Sequence, residues 1–268
     1  MNSALIKRLL RHGWLSALVI VAGCATVPAP EKEAEEPVVD ETPRIEVTVD
    51  ETAMLPLLGY LQRLPGMSAL ELAREYKTSF FFPSSIAAFG PNTPHANTPQ
   101  DTIQRPSTMY GVAKVTMELL CAYYHLKYGL DTRGVRFPGL ISYAALPGGG
   151  TTDYAVHIYY EALKKGSYTS YIGRGTFMDM MYMPDALDAV VKLMEADPAK
   201  LVHRNSFNIT AMSFDPEGIA ASIRKHIPNF ALSYDVDPVR QAIADSWPDS
   251  LDCSAAREEW CFEPKYDL

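Results

Sequence analysis

Three side chains between Phe80 and Lys127 have the types and spacing that proton transfer needs: Ser85, Tyr110 and Lys114. Tyr110 and Lys114 stand four residues apart, in a Y-x-x-x-K arrangement, and on a helix that spacing stacks both on one face. A phenol ionises near pKa ~10, and a neighbouring ammonium favours the phenolate and lowers that value. A serine hydroxyl at a nearby strand end can hold the substrate oxygen that gains or loses the proton. The bare spacing also describes a surface helix with an ordinary tyrosine and lysine, so its meaning depends on the elements around it.

Those elements read as an α/β unit. Phe80 to Pro83 is a short apolar strand running into Ser84 and Ser85, and Gly90-Pro91 closes it. A polar loop from Asn92 to Pro106 leads to Ser107, the expected N-cap of a helix that stops at Gly129. Val112, Val115, Leu119 and Ala122 are its expected buried stripe. Thr132 to Ser142 is a second buried strand, interrupted by Pro138-Gly139. Strand, helix and strand in this order predict a parallel pair with a crossover helix. Farther on, Gly148-Gly149-Gly150-Thr151-Thr152 is a polar loop before a helix from Asp153 to Lys165, ended by Gly166. Pro184 suits the first turn of another helix, with Leu187, Val190, Val191 and Met194 on its inner face. Ser206 to Thr210 reads as a strand, and Asp215-Pro216 opens a helix whose Ile219, Ile223 and Ile227 point one way.

Composition narrows the function. The chain has 268 residues, a hydrophobic fraction of 47% and a net charge of −8. Between Glu31 and Glu51 nine acidic residues face only Lys32 and Arg44, which accounts for −7 of that charge. The remainder is close to neutral and has no basic face, which argues against a nucleic-acid partner. Four cysteines are too few for a disulfide framework. The spacing of Cys253 and Cys261 fits no zinc site, so no metal is expected. Cys121 falls within the predicted helix, as a small buried hydrophobe.

The first 78 residues differ in character. Lys7, Arg8 and Arg11 precede a short apolar run from Trp14 to Ala22, and Val21-Ala22-Gly23-Cys24 resembles a bacterial lipobox. Residues 1–24 are therefore read as a lipoprotein-type signal with lipidation at Cys24, the sole expected membrane attachment. Residues 25–51 read as an acidic disordered linker, and residues 52–78 as a short helical segment with a break at Pro65-Gly66.

From residue 79 to 268 the chain resembles the extended short-chain dehydrogenase/reductase family, also called NAD-dependent epimerase/dehydratases. Ser85, Tyr110 and Lys114 carry the resemblance, with 25 residues from serine to tyrosine. The stretches PSSIAAFGP, YGVAKVTMELL, RFPGLISY, PGGGTTDYAV, MMYMPDAL, NITAMSF, RQAIADSWP and AAREEW are similar to the C-terminal part of short-chain-type L-threonine 3-dehydrogenases. A nucleotide-sugar epimerase shares the serine, tyrosine and lysine but not GGGTTDYA or DSWP.

The resemblance implies Tyr110 as general base, Lys114 as its partner and ribose ligand, and Ser85 as holder of the substrate oxygen. It implies NAD as cofactor, with Phe137, Pro138 and Gly139 lining the nicotinamide. L-threonine is the implied substrate, its carboxylate met by Thr151 and Thr152, for which a capping role is the alternative. Trp247 is assigned to the core and Asp185 to a helix start. A homodimer through the Tyr110 helix is also implied. No G-x-G-x-x-G precedes Ser85, and such a turn presents backbone N–H groups to the pyrophosphate. The glycines at 148–150 follow the catalytic strands and are not read as a substitute.

The expected fold class is thus α/β: an incomplete Rossmann-like, NAD(P)-binding domain lacking its first strands. A small C-terminal substrate-binding α/β part and a disordered and helical N-terminal segment complete it. The Phe80 strand is then expected to present an exposed, flat, apolar edge. The first reading is an L-threonine 3-dehydrogenase-like oxidoreductase with impaired turnover. The alternatives are a noncatalytic envelope lipoprotein or chimeric product carrying a dehydrogenase fragment, and an NAD-dependent nucleotide-sugar epimerase or dehydratase. A genuine N-terminus would place the chain in the cell envelope; a join near residue 78 would leave it cytoplasmic.

Overall fold

A computed structural model describes residues 65–144 and 146–268. The signal-like start with Cys24, the acidic linker and the helix signals up to Leu64 lie outside the described residues. The first described element is helix α1 (Pro65–Tyr76). Proline is tolerated in a first turn, where its missing N–H forfeits no hydrogen bond. Pro65-Gly66 therefore stands at the start of α1, and the stretch it was expected to interrupt lies outside the described residues. Ala69, Leu70 and Ala73 of α1 are buried with Phe80, Phe82, Cys121 and Tyr124. The boundary expected at residue 79 thus falls inside one packed core.

The chain continues through β1 (Phe80–Ser85), helix α2 (Met109–Tyr128), β2 (Thr132–Phe137) and β3 (Gly139–Ile141). Then come α3 (Tyr154–Lys165), β4 (Ser167–Ser170), β5 (Met178–Tyr182) and α4 (Met183–Glu195). The last elements are β6 (Asn205–Asn208), β7 (Met212–Phe214), α5 (Pro216–Arg224), β8 (Ala231–Tyr234), α6 (Pro238–Ala244) and α7 (Ser254–Trp260). Strands β1, β2 and β6 form a parallel sheet with β2 in the middle, and α2 is the crossover from β1 to β2. A second sheet has the order β3-β5-β7, parallel then antiparallel, and β4 pairs with β8 in parallel. This is the expected α/β class with a parallel sheet. Pro138 divides the predicted strand 132–142 into β2 and β3, which join different sheets.

Three consecutive phenylalanines make sense only in a strand buried on both faces. Phe80 and Phe82 turn toward α1 and α2, while Phe81 joins Val135, Leu193, Phe207 and Trp260 on the opposite side. All three are at most 5% exposed. The backbone of β1 has one strand neighbour among the described residues, β2. Its apolar surface is nevertheless covered, contrary to the exposed apolar edge expected from the sequence. A second core gathers Tyr154, Ile158, Met178, Met180, Phe214 and Ile219, and Trp247 packs against both cores.

Helix α2 departs most from expectation. Its inward face carries Gly111, Lys114, Glu118, Cys121 and Tyr124. Val112 and Leu119, assigned to the buried stripe, are 44% and 63% exposed. The periodicity is helical, but a buried polar cluster occupies the face that hydrophobicity alone would assign to the core. The cap moves by one residue as well: Thr108, not Ser107, accepts from Gly111 N at 3.1 Å. Gly129 closes the helix with φ +66°, as expected.

The long loop before α2 is stapled to the chain's far end. Asn97 N donates to Ser250 Oγ at 2.7 Å, Thr98 N to Ser250 O at 2.8 Å, and Asp252 N to Thr98 O at 3.0 Å. Asp185, buried at the start of α4, accepts from the backbone N–H groups of Lys265 and Tyr266, both at 3.0 Å. Asp185 therefore fastens the C-terminal segment.

Asp179 in β5 is 1% exposed, accepts from Thr210 Oγ1 at 2.7 Å, and has no partner for Oδ2. Burial, reinforced by the charge of Asp249, pushes its carboxyl from 3.8 up to about 7. The folded state therefore holds a proton that the unfolded chain releases, and stability falls as pH rises from about 4 through about 7. Asp179→Asn is expected to flatten this slope and to raise the melting temperature at pH 8 by on the order of 5 °C. Thermal melts at pH 5 and pH 8 would check it; equal slopes in both proteins would contradict it.

Candidate active site

Ser85 is the last residue of β1, at the carboxyl end of a parallel strand, where crevices of open α/β sheets form. Its Oγ accepts from Ala87 N at 3.2 Å and caps the short turn Ile86–Ala88. Helix α2 is pressed onto that turn. A Cβ on Gly111 would lie 2.1 Å from the Ala87 carbonyl oxygen and 2.5 Å from Pro106 Cβ. Glycine at this position is thus what brings the start of α2, and Tyr110 with it, against the Ser85 turn.

Tyr110 and Lys114 share a helix face, as their spacing requires. The Lys114 ammonium lies 5.2 Å from the Tyr110 ring centroid and 5.1 Å from that of Phe82. It donates to the Pro83 carbonyl at 2.6 Å, two residues before Ser85. Lys114 is buried, while Tyr110 is 45% exposed and so can meet a ligand. Phe137 is the direct pairing partner of Ser85 across β1 and β2. Beyond Pro138, a Cβ on Gly139 would lie 2.3 Å from Met180 Sδ and 2.9 Å from the Thr152 side chain. Close packing at this glycine places Thr152 beside the Phe137–Gly139 segment. Thr151 is buried and Thr152 half-buried.

The glycine run before these threonines is closed from within. Asp153 accepts from the backbone N–H groups of Gly149 and Gly150, both at 2.7 Å. The carboxylate of Asp153, and no threonine hydroxyl, therefore ties this turn. The Gly149 and Gly150 amides are therefore committed to a side chain of their own turn. Trp247 packs between the two cores. Cys121 is buried in α2, its thiol pushed up to about 12 by burial, first, and by the Glu118 carboxylate. Among the described residues no group of three or more His, Cys, Asp or Glu side chains could hold a metal ion.

The sequence reading missed a polar cluster one helical turn beyond Lys114. Glu118 and Arg136, 4% and 6% exposed, form an ion pair with Arg136 Nη2 to Glu118 Oε2 at 2.9 Å. Ser84 Oγ donates to Glu118 Oε1, and Gln104 Nε2 to Oε2 at 2.7 Å. The signal was present: Tyr110, Lys114 and Glu118 are spaced by four and share a face.

The chain's similarities agree with this geometry. The model of the NAD dependent epimerase/dehydratase family matches residues 65–210. An uncharacterized epimerase/dehydratase of Staphylococcus haemolyticus is 65% identical over 214 residues, 80% of this chain and 67% of that protein. Among solved structures, the L-threonine dehydrogenase from Clostridium difficile is 66% identical with a TM-score of 0.76, over 79% of this chain and 67% of that one. The L-threonine dehydrogenase from Phytophthora infestans is 50% identical with a TM-score of 0.75, over 81% of this chain and 70% of that one. A nucleoside-diphosphate-sugar epimerase from Agrobacterium tumefaciens, at 20% identity and a TM-score of 0.65 over 73% of this chain and 59% of that one, shares the fold. The chain spans about two thirds of the length of the staphylococcal and clostridial relatives.

The contact at Gly111 is open to a direct test. Gly111→Ala adds one methyl group against a backbone carbonyl that cannot yield without moving β1 or α2. It is expected to cost about 1–3 kcal/mol and roughly 5 °C in melting temperature. A melt unchanged from the unsubstituted chain would show that α2 does not approach the Ser85 turn this closely.

Proposed function

The chain belongs to the NAD dependent epimerase/dehydratase family, and we propose that within it the chain is an oxidoreductase of L-threonine 3-dehydrogenase type. What carries the reading is the meeting of Tyr110, Lys114 and Ser85 at one strand end. They do so in a chain 66% identical to a solved L-threonine dehydrogenase. The alternative, a nucleotide-sugar epimerase or dehydratase, has the support of the fold alone, at 20% identity.

In this reading Tyr110 is the general base. An ammonium beside a phenol favours the phenolate, and Lys114 stands in that position. Tyr110 takes the hydroxyl proton of threonine, and the Ser85 hydroxyl donates to the same substrate oxygen. Thr151 and Thr152 offer hydroxyl donors to the substrate carboxylate from the far side of Gly139. Their turn is already tied by Asp153, which leaves capping to that carboxylate.

NAD is the cofactor this reading assigns, and when bound it accepts the hydride from the threonine β-carbon, the product being 2-amino-3-oxobutanoate. Tyr110, Lys114, Phe137, Pro138 and Gly139 would hold its nicotinamide and ribose. The arrangement fits that end of the molecule: Lys114 is a buried cation beside the site, and Gly139 leaves no room for a side chain. For the pyrophosphate, the Gly149 and Gly150 amides are committed to Asp153. The sequence has no G-x-G-x-x-G turn to replace them. On this reading the test below is expected to find weak NAD binding and low turnover.

The test is threonine-dependent formation of NADH by the purified chain, followed at 340 nm. A slow rate is expected that keeps rising with NAD into the millimolar range, and Tyr110→Phe should lower it by about 10²–10⁴-fold. Turnover of a nucleotide sugar in place of threonine would overturn the substrate assignment.

A homodimer through α2 belongs to the same proposal. Val112, Leu119, Tyr123 and Leu126 are all exposed on α2, Leu126 by 84%. Their positions repeat at intervals of three, four and seven, which places them on one stripe. The double substitution Leu119→Glu with Leu126→Glu is expected to convert a dimer to a monomer in sedimentation analysis. An unchanged mass would rule out this face.

A further inference from the structure

We propose that Glu118 is a positioning residue for Tyr110 and Lys114, held in place by Arg136. The proposal rests on the reading of Tyr110 as proton acceptor, and it concerns what holds that residue at its post.

Helix α2 is pinned to β1 at two successive turns. Lys114 donates to the carbonyl of Pro83, and Ser84, the next residue of β1, donates to Glu118. Ser85 follows immediately. Three adjacent residues of β1 are thus committed in turn to Lys114, to Glu118 and to the Ile86–Ala88 turn. A helix that slid or rotated by one residue would swing its side chains by about 100° and break both ties.

Glu118 meets donors from three elements. On Oε1 it accepts from Ser84 Oγ and from Arg136 Nε at 3.2 Å. On Oε2 it accepts from Gln104 Nε2 at 2.7 Å, Arg136 Nη2 at 2.9 Å and Arg136 Nε at 3.2 Å. Arg136 extends the network: its Nη1 donates to Gln100 O at 2.9 Å and to Asn208 Oδ1 at 3.0 Å. Its guanidinium also lies 5.0 Å from the Phe89 ring centroid. The carboxyl ends of β1, β2 and β6, the loop before α2 and α2 itself therefore converge on one ion pair.

Burying two charges costs desolvation, and apolar residues of similar volume often stabilise a core as well or better. Stability alone does not call for Glu118 and Arg136. Direction does: the guanidinium fork and the carboxylate accept only a narrow set of orientations. The pair lies one turn from Lys114 and one residue from Phe137, where orientation matters to the chemistry.

The test reads Tyr110 without turnover. Alkaline titration of the full chain, followed by tyrosinate absorbance at 295 nm, gives the Tyr110 midpoint as the difference from Tyr110→Phe. Glu118→Gln is expected to raise that midpoint by about one pH unit as Lys114 drifts from the phenol. It should also speed hydrogen exchange across residues 98–118 by about tenfold or more, with strands β4 and β8 unchanged. Loss of a carboxylate's charge alone would move the midpoint the other way, because a phenol ionises more easily when a negative charge is removed. A midpoint that falls or stays, or exchange that quickens uniformly, overturns the proposal.

Glu118→Leu with Arg136→Leu removes both charges and covers the case in which an orphaned Arg136 unfolds the single variant. The same rise in the Tyr110 midpoint is expected there, and an unsubstituted value overturns the proposal. A shifted midpoint in a chain that never oxidises threonine would sink the functional reading while leaving the positioning role intact.

Discussion

Between Gly111 and the carbonyl of Ala87 there is no room for a methyl group, and the candidate site depends on that absence. Tyr110 sits on a helix and Ser85 on a strand, and only a close approach of the two elements brings them near each other. Glycine permits the approach because it carries no Cβ. Gly139 does the equivalent on the opposite wall, where Met180 and Thr152 close over it. Two glycines in ordinary backbone conformations, chosen for contact and not for torsion, thereby set the width of the site.

The interior of α2 reverses the usual layering. Its buried face contains Lys114 and Glu118, while Leu119 and Leu126 face outward. Such a face is tolerable only because each charge meets well-directed partners: the Pro83 carbonyl for Lys114, and Arg136, Ser84 and Gln104 for Glu118. The arrangement exchanges part of an apolar core for a scaffold with a defined orientation. It also leaves an apolar stripe on the outside of the helix.

Much of the fold was legible in the sequence because local signals agreed with tertiary demands. Gly129 and Gly166 both take positive φ at helix ends, and Asp215 and Pro216 open α5 as their types predict. The shared helix face of Tyr110 and Lys114 was readable from their spacing. The failures have a common cause. Hydrophobic periodicity gives the helical period of α2 correctly but not its phase: it cannot tell an outward apolar stripe from an inward one when the other face is polar and paired. Arg136 escaped notice because its partner lies 18 residues away on another element.

The staple between Asn97–Thr98 and Ser250–Asp252 bears on how the chain acquires its structure during synthesis. Asn97 and Ser250 are 153 positions apart. The residues that feed α2 therefore leave the ribosome long before the segment that anchors them exists. Non-local ties of this kind form late and slow a chain's maturation. β1, α2 and β2 can assemble first through near-neighbour pairing, but the loop carrying Gln100 and Gln104 gains its far anchor only after residue 250 has been translated. A nascent chain stalled short of that point would hold Tyr110 beside a loop tied through Gln100 and Gln104 but still lacking its anchor at Asn97–Thr98.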